Sequence, residues 1–177
     1  MVKNFKVSDN IDFFEATTTN NRGLLLPNRK AGLMALPKIV ATSYALIEPI
    51  REHVLDDEPI EIHSFFRSRT LNGATKGSSD RSQHPLGEAF DWSRWGAETH
   101  DECYRDFEYT RDFFIDNRIM FGQLIFEEAD RGYSKVHWIH TSMGAPFRDL
   151  HRCGQILTMK DGKYTLIEKV NVESWWR

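Results

Sequence analysis

Residues 82–92 read SQHPLGEAFDW and place His84 and Asp91 seven positions apart. The stretch starts as a polar loop and continues into an apolar run, so it predicts a loop that leads into a short strand. A loop that turns back at Gly87 can bring the two side chains together, and the small Ala89 lets the strand pass close beneath them. The same spacing is also typical of unrelated polar residues beside an ordinary strand, so the rest of the chain has to decide.

Two helices are expected in the first third of the chain from the spacing of apolar residues. The first covers 10–17, with Ser8 or Asp9 as its N-cap. The stretch NRGLLLPN, which contains Gly and Pro, is expected to break the helical pattern. The second helix then covers 36–54 and should be kinked at Pro49.

A third helix is expected over 98–118, where the sequence reads ETHDECYRDFEYTRDFFIDNR. Thr99 and Glu102 have the spacing of a capping box, which marks the start of a helix. The apolar and small residues that recur at helical spacing should form its buried face. This expected inward stripe consists of Cys103, Phe107, Thr110 and Phe114.

Strands are indicated by short runs with alternating apolar and polar residues. The expected strands lie at 59–65, 87–92, 121–128, 135–142 and within 155–168. The third and fourth are joined by a loop at 129–134, and Asp161-Gly162 favours a tight hairpin turn. Because helices and strands do not alternate regularly, the sequence predicts an α+β fold with a small, mainly antiparallel sheet flanked by helices.

Composition limits the classes of function. A chain of 177 residues with a formal net charge of −3 and no long basic stretch fits a single domain that does not bind nucleic acid. The start has no signal-peptide pattern and no apolar run suggests membrane insertion, so synthesis in the cytoplasm is expected. Cys103 and Cys153 match no zinc spacing and are expected to be free thiols.

Three residues are candidates for a metal site. Of the seven histidines, His84 precedes a predicted strand that carries Asp91, and His140 lies on a strand that could be its neighbour. A catalytic zinc ion takes three protein ligands and keeps one position open, and these three side chains would supply that number. Taken alone, the HWIH sequence around His140 is equally typical of a polar strand edge.

Five ordered motifs carry a resemblance to a known family. They are S-x-H-x-x-G-x-A-x-D at 82–91, FFRS at 65–68 in place of G-Y-R-S, Leu71-Asn72, FGQLIFE at 121–127 and WIHTS at 138–142. Together they resemble the zinc D-Ala-D-Ala carboxypeptidase and L-Ala-D-Glu endopeptidase family of cell-wall enzymes, whose fold is hedgehog-like. The compact phage-type members are the most similar, and the resemblance covers roughly residues 10–150.

The resemblance implies a zinc peptidase domain over 1–150, with a hairpin and tail at 151–177 packed on the same domain. It implies Zn2+ held by His84, Asp91 and His140. The substrate would be a peptidoglycan stem peptide, cleaved next to a D-amino acid by a monomeric enzyme. Without a signal peptide, such a protein would reach the cell wall after release, as in phage-associated lysis.

The resemblance also implies two residues that contact the substrate. Arg67 would bind a carboxylate of the peptide, because a guanidinium can pair with a carboxylate through two hydrogen bonds. Ser82 would hydrogen-bond the substrate or steady the loop. Without the resemblance, Arg67 would be read as part of a surface ion pair.

The general base is where this chain departs from the family pattern. Relatives with carboxypeptidase activity carry a glutamate three residues before the last histidine ligand, and this chain has His137 there. Glu127 on the preceding strand is the favoured base, with His137 as an auxiliary group. The alternative is that His137 itself acts as the base, as a first histidine does in related zinc endopeptidases, and Glu128 is the next choice. Strand alternation lets only one of the two glutamates face the metal.

A second class of function stays open. A scaffold of this kind can hold zinc without cleaving peptides, as the hedgehog signalling domain does. The alternative is therefore a non-catalytic zinc- or peptide-binding module, such as a virion or assembly component. A bacterial housekeeping enzyme would need an export signal, which the sequence does not show.

Overall fold

The fold is built around one six-stranded sheet with the strand order β1-β2-β4-β3-β5-β6. The structure is a computed structural model, and it describes residues 2–131, 134–145 and 150–176. The strands are β1 (Ile60–Ser64), β2 (Ala89–Arg94), β3 (Phe121–Arg131), β4 (Ser134–Met143), β5 (Gln155–Lys160) and β6 (Lys163–Lys169). All neighbouring pairs are antiparallel except β3 and β5, which run parallel. The expected α+β class with a mainly antiparallel sheet is therefore confirmed.

The described residues form five α-helices. They are α1 (Phe13–Ala16), α2 (Arg22–Thr42), α3 (Glu48–His53), α4 (Arg69–Ala74) and α5 (His100–Asp116). A π-helical turn, Ser43–Ile47, joins α2 to α3 without a break in the helical run. The turn lies directly before Pro49, which has no N–H to donate, so the expected irregularity at this proline takes the form of a wider helical turn.

The N-terminal helices begin at other residues than the sequence indicates. The cap of α1 is Asp12 and not Ser8 or Asp9, because a carboxylate oxygen of Asp12 accepts a hydrogen bond of 2.8 Å from the backbone N–H of Glu15. Helix α2 begins at Arg22, well before the expected start at residue 36.

The early start of α2 has a tertiary cause. Pro27 and Pro37 both lie inside the helix, where proline normally weakens the hydrogen-bond ladder. Asn28 is fully buried, and its amide donates to the backbone carbonyls of Thr17 and Phe66. These contacts come from distant parts of the chain, and tertiary contacts of this kind override local propensity.

Helix α5 agrees with the sequence pattern. It starts at the expected capping box, in which Thr99 and Glu102 each bond to the other's backbone. Its four expected inward residues are all buried: Cys103, Phe107, Thr110 and Phe114. Cys103 and Cys153 are both buried free thiols, as expected.

The two faces of the sheet have different surroundings. The helix side holds the main apolar core, to which the strands contribute Phe90, Trp92, Phe126 and Ile139. Because side chains alternate along a strand, the residues between them point to the opposite face. A smaller apolar cluster lies there, formed by Ile125, Leu157 and Met159 with Trp138 packed against it. This opposite face, which we call the open face, carries the candidate site.

The hairpins agree with the prediction in type. Asp161 and Gly162 join β5 and β6 with φ angles of 50° and 77°, the positive values that a primed two-residue turn requires. Strands β3 and β4 extend further than predicted, to Arg131 and from Ser134. The glycine turn expected within 129–134 includes residues 132–133, which lie outside the described residues.

The continuous helical run Arg22–His53 is long and apolar enough to cross a membrane, judged by length and composition alone. Its buried residues Ile39, Leu46, Ile47 and Ile50 are part of the main core. A single helix of this kind is equally typical of the core of a soluble domain and of a membrane segment. The expected absence of membrane insertion therefore stays a prediction.

Candidate metal centre

Three elements bring His84, Asp91 and His140 together on the open face. His84 opens a short 3-10 turn, His84–Leu86, directly before β2. Asp91 lies in β2 and is paired directly opposite His140 in β4. Each residue offers one ligand atom, and these atoms all lie within 4.8 Å of one another. In the part of the chain that the structure describes, no other group of histidine, cysteine and carboxylate side chains meets this condition.

Gly87 makes the approach of His84 to Asp91 possible. Its φ of 71° lies in the left-handed region, which residues with a Cβ adopt only under strain. A Cβ at this position would lie 3.0 Å from Cγ1 of Ile39 and 3.3 Å from the Ile39 backbone nitrogen. The neighbouring Ala89 is completely buried. The expected turn at Gly87 is therefore confirmed, and close contact with α2 adds a second reason for glycine.

The hydrogen bonding of His84 determines which ring nitrogen is free. Nδ1 lies 2.6 Å from the backbone carbonyl oxygen of Phe65. A carbonyl oxygen can only accept, so Nδ1 carries the proton and Nε2 of the neutral ring carries a lone pair. Nε2 lies 3.3 Å from Oδ1 of Asp91, yet no hydrogen bond joins the two atoms. Two acceptors thus face each other in a buried place.

A proton on Nε2 would relieve this contact, but burial opposes it. Burial lowers the pKa of His84 more than the nearby Asp91 raises it. Burial also raises the pKa of Asp91, but His84 and His140 together hold it well below its usual range. Asp91 is therefore ionised and His84 neutral at neutral pH, so a cation between them satisfies both. A histidine that donates its other N–H to a carbonyl is a usual metal ligand.

His140 completes the group of three. Its Nδ1 lies 2.8 Å from Oδ1 of Asp91. Burial lowers the pKa of His140, but the hydrogen bond to Asp91 and the charge of Asp91 together raise it by more. The pKa of His140 therefore lies above its ordinary value. The chemistry of this donor set fits a metal ion: two imidazoles and one carboxylate, each with a ligand atom within 4.8 Å of the other two. The His84–Asp91–His140 group could therefore hold a metal ion.

Glu127 lies on the same face as this group. It is only 8% exposed. Burial raises the pKa of Glu127 to about 7, with smaller opposing contributions from His140 and Arg67. A carboxyl group with such a pKa can both accept and release a proton near neutral pH. The structure thus brings the favoured base to the site, as strand alternation requires.

His137 lies on the opposite face of β4 from His140, so its expected auxiliary role stays a prediction. The pairing of β3 with β4 continues without interruption from Leu124–Thr141 to Arg131–Ser134. No bulge therefore turns His137 towards His140. Although His137 borders the cleft, its ring stacks on the buried Phe126 with centroids 6.0 Å apart. Its direct partner on β3 is Glu128, which is excluded from the site for the same reason.

Arg67 and Ser82 both lie next to His84. The backbone N–H of Arg67 donates to the His84 carbonyl oxygen over 3.4 Å. The Nε atom of Arg67 is buried and has no hydrogen-bond partner among the described residues. Ser82 accepts a hydrogen bond of 3.3 Å from the backbone N–H of His84. Nε of Arg67 is thus a buried donor with no acceptor in the described part of the chain, and Ser82 steadies the loop.

The site lies in a wide cleft of about 1410 Å3 on the open face. Sequence reasoning missed several of its lining residues. His63 and Ser93 lie at one side, where Nε2 of His63 is 2.9 Å from Oγ of Ser93. Met159 and Tyr164 come from the C-terminal hairpin at the other side. Their alternation along the strands was visible in the sequence, but the partner strand was not, so nothing located them near the site.

No protein-family model matches the chain, and no curated protein matches it significantly. The resemblance to zinc peptidases therefore rests on the five motifs and on what the fold does with them. Three of those motifs supply His84, Asp91, Glu127 and His140, and a fourth supplies Arg67. All five of these side chains line one cleft.

Proposed function

We propose that this protein is a zinc-dependent peptidase that cleaves peptidoglycan stem peptides next to a D-amino acid. The observation that carries the proposal is the converging group His84, Asp91 and His140, with the buried carboxyl of Glu127 on the same face. A metal site alone would fit many proteins. A protonatable carboxyl and an unpaired guanidinium in the same cleft favour hydrolysis of a peptide that bears a carboxylate.

Zinc is the metal we propose, with His84, Asp91 and His140 as its ligands. Three protein ligands are typical of catalytic zinc, whereas structural sites usually have four. When bound, zinc would polarise the scissile carbonyl and make water a better nucleophile at neutral pH. The carbonyl of Phe65 holds His84 in the tautomer that a metal ligand needs.

Glu127 acts as the general base in this proposal. Its carboxylate takes a proton from the attacking water and passes it to the nitrogen of the leaving amine. A pKa raised to about 7 by burial suits both steps, because neither form is strongly preferred near neutral pH. Trp138, the direct partner of Glu127 on β4, lies beside this carboxyl and opposes part of the effect of burial on its pKa.

Arg67 positions the substrate. Its guanidinium is largely withdrawn from solvent, and no ion pair is made to it by the described residues. A carboxylate of the peptide would supply the missing acceptor and fix the peptide relative to Glu127. The proposed setting, lysis of the cell wall by a monomeric phage-associated enzyme after its release from the cytoplasm, rests on the resemblance of the motifs.

Digestion of purified peptidoglycan tests the proposal. The protein is incubated with it in the presence of zinc, with a chelator, and with zinc restored after chelation, and the products are identified by mass. Release of D-alanine indicates a carboxypeptidase, and a cut between L-Ala and D-Glu indicates an endopeptidase. The Glu127→Gln variant serves as the matched control.

Either product, lost on chelation and regained with zinc, would support the proposal. Unchanged peptidoglycan in all conditions would rule out the peptidase. If the protein then still binds zinc and the stem peptide, the non-catalytic binding module becomes the better assignment.

A further inference from the structure

The C-terminal hairpin forms one side of the cleft. In the sheet, Glu127 of β3 is paired with Met159 of β5, and Met159 is paired with Tyr164 of β6. Residues paired in this way project from the same face, so Tyr164 lies on the open face together with Glu127. Two strand spacings separate their backbones, or roughly 10 Å. The hairpin therefore belongs to the wall of the site, although the resemblance ended before it.

Tyr164 is directed towards the charged centre of the cleft. It lines the cleft, and its phenol lies within electrostatic range of Glu127, Asp91 and Arg67. Its side chain is half exposed, and within the described residues its hydroxyl makes no hydrogen bond. The hydroxyl is thus a donor that is free to meet a ligand in the cleft.

Arg67 approaches the same place from the opposite side. Arg67 follows β1. Its charge lowers the pKa of Tyr164, and the charge of the ionised phenol raises the pKa of Arg67, so the two side chains are within electrostatic range of each other. Nε of Arg67 is buried and meets no hydrogen-bond partner in the ranges that the structure describes. Within the described residues, neither Nε of Arg67 nor the Tyr164 hydroxyl has an acceptor, and both side chains line one cleft. A guanidinium and a phenol in this arrangement are suited to bind an anion with two oxygens.

We propose that Tyr164 and Arg67 together bind the free carboxylate of the substrate peptide, and that the hairpin of β5 and β6 is thereby a part of the substrate site. This inference rests on the proposed function for the identity of the ligand. Tyr164 is a specificity residue in this scheme: it contacts the carboxylate and leaves the reacting carbonyl to other groups. Its loss should weaken binding of the peptide and leave the chemical step intact.

The test measures binding and turnover separately. Binding is measured by calorimetry in the zinc-loaded Glu127→Gln protein, which should hold the peptide without cleaving it. The probe is a synthetic stem pentapeptide ending in D-Ala-D-Ala, together with two analogues in which the C-terminal carboxylate or the α-carboxylate of D-Glu is an amide. Tyr164→Phe is compared with Tyr109→Phe, which alters an exposed tyrosine on α5.

We expect Tyr164→Phe to raise the Kd of the unmodified peptide about tenfold, the effect of one hydrogen bond to a charged group. One of the two amide analogues should bind weakly and equally to both proteins, which identifies the carboxylate. Tyr109→Phe should change nothing. In the otherwise wild-type protein, Tyr164→Phe should raise KM with kcat retained.

Equal Kd values for the parent and Tyr164→Phe proteins would overturn the inference, as would an equal loss for the peptide and both amides. A loss confined to kcat would overturn it as well, because Tyr164 would then act on the reacting carbonyl. The proposed function fails in a different way. If the protein never cleaves the peptide but binds it in a way that depends on Tyr164 and one carboxylate, the carboxylate site of Tyr164 and Arg67 is supported and the peptidase activity is not.

Discussion

Nε2 of His84 and Oδ1 of Asp91 face each other 3.3 Å apart without a hydrogen bond. The proton of the neutral His84 ring is on Nδ1, which donates it in a hydrogen bond to the carbonyl oxygen of Phe65. This contact costs free energy, because the buried Nε2 of His84 has lost water and gained no donor, and the Asp91 oxygen it faces is already hydrogen-bonded to Nδ1 of His140. A cation between them removes this cost, and this relationship is the strongest physical indication of a metal site in the chain.

Metal content should depend on His84. The wild-type protein, purified and dialysed against zinc, should carry about one equivalent, and His84→Ala should carry close to none, because two remaining ligands hold zinc too weakly. Metal analysis of both proteins measures the difference. His53→Ala, which alters an exposed histidine on α3, is the control and should bind as the wild type does. Equal metal content in wild type and His84→Ala would exclude this site.

Glu127 and His137 should differ sharply in activity. Glu127→Gln keeps the shape and removes the proton acceptor, so kcat should fall by about 10²–10⁴ with zinc retained. His137→Ala should leave kcat within a few fold, because its ring packs against Phe126 on the helix side of the sheet. Steady-state kinetics on a stem peptide distinguishes the two. Full activity of Glu127→Gln with an inactive, folded His137→Ala would exchange the assignments.

The buried carboxyl of Glu127 should also make the stability of the metal-free protein depend on pH. Burial raises its pKa from an ordinary value of 4.5 to about 7, so the folded state holds this proton more tightly than the unfolded state. The free energy of unfolding should therefore fall as pH rises from about 4.5 to about 7. The difference in pKa corresponds to at most about 3 kcal/mol.

Glu127→Gln removes this penalty, so the metal-free variant should be more stable than the metal-free wild type at pH 8 and similar to it at pH 4.5. Urea unfolding at both pH values provides the measurement. Glu52→Gln, on the exposed surface of α3, should show no such difference between the two pH values. A variant that is less stable than wild type at pH 8 would contradict the assigned burial of Glu127.

Replacement of Arg67 should affect binding of the peptide. Arg67→Lys keeps a positive charge but loses the planar fork that pairs with a carboxylate, so KM should rise about tenfold with fold and zinc content retained. Arg69→Lys, two residues further on and exposed, is the matched control and should leave KM unchanged. Unchanged kinetics for Arg67→Lys would remove Arg67 from carboxylate binding.

Gly87 offers a test of how the loop is held. Gly87→Ala forces a Cβ into the left-handed region and against Ile39, so it should destabilise the fold by roughly 2 kcal/mol or more. Gly77→Ala has the same kind of φ, 81°, but meets no atom within 4 Å, and should cost only about 1 kcal/mol. Thermal unfolding compares the two. Equal losses would mean that contact with α2 contributes nothing.

Local patterns determined much of the fold from the sequence. The alternation in β3 and β4, the Asp161-Gly162 turn and the capping box of α5 depend on residues within a few positions of one another, so the sequence shows them directly. The same alternation separates Glu127 from Glu128 and His137 from His140, and the register of the two strands bears it out.

Three features depend on contacts between distant residues and could not be predicted from local patterns: the start of α2, the position of β5 in the sheet, and the contact between His84 and Asp91. Helix α2 starts at Arg22 because the buried Asn28 bonds to the backbone carbonyls of Thr17 and of the distant Phe66, and the local sequence pattern does not indicate these contacts. Strand β5 runs parallel beside β3, and only this pairing brings Tyr164 to the cleft. The contact between the unpaired Nε2 of His84 and the carboxylate of Asp91 likewise forms only when a loop, two strands and the Phe65 carbonyl meet. Each depends on contacts between residues distant in sequence, whose free energy is settled by the packing of the whole domain.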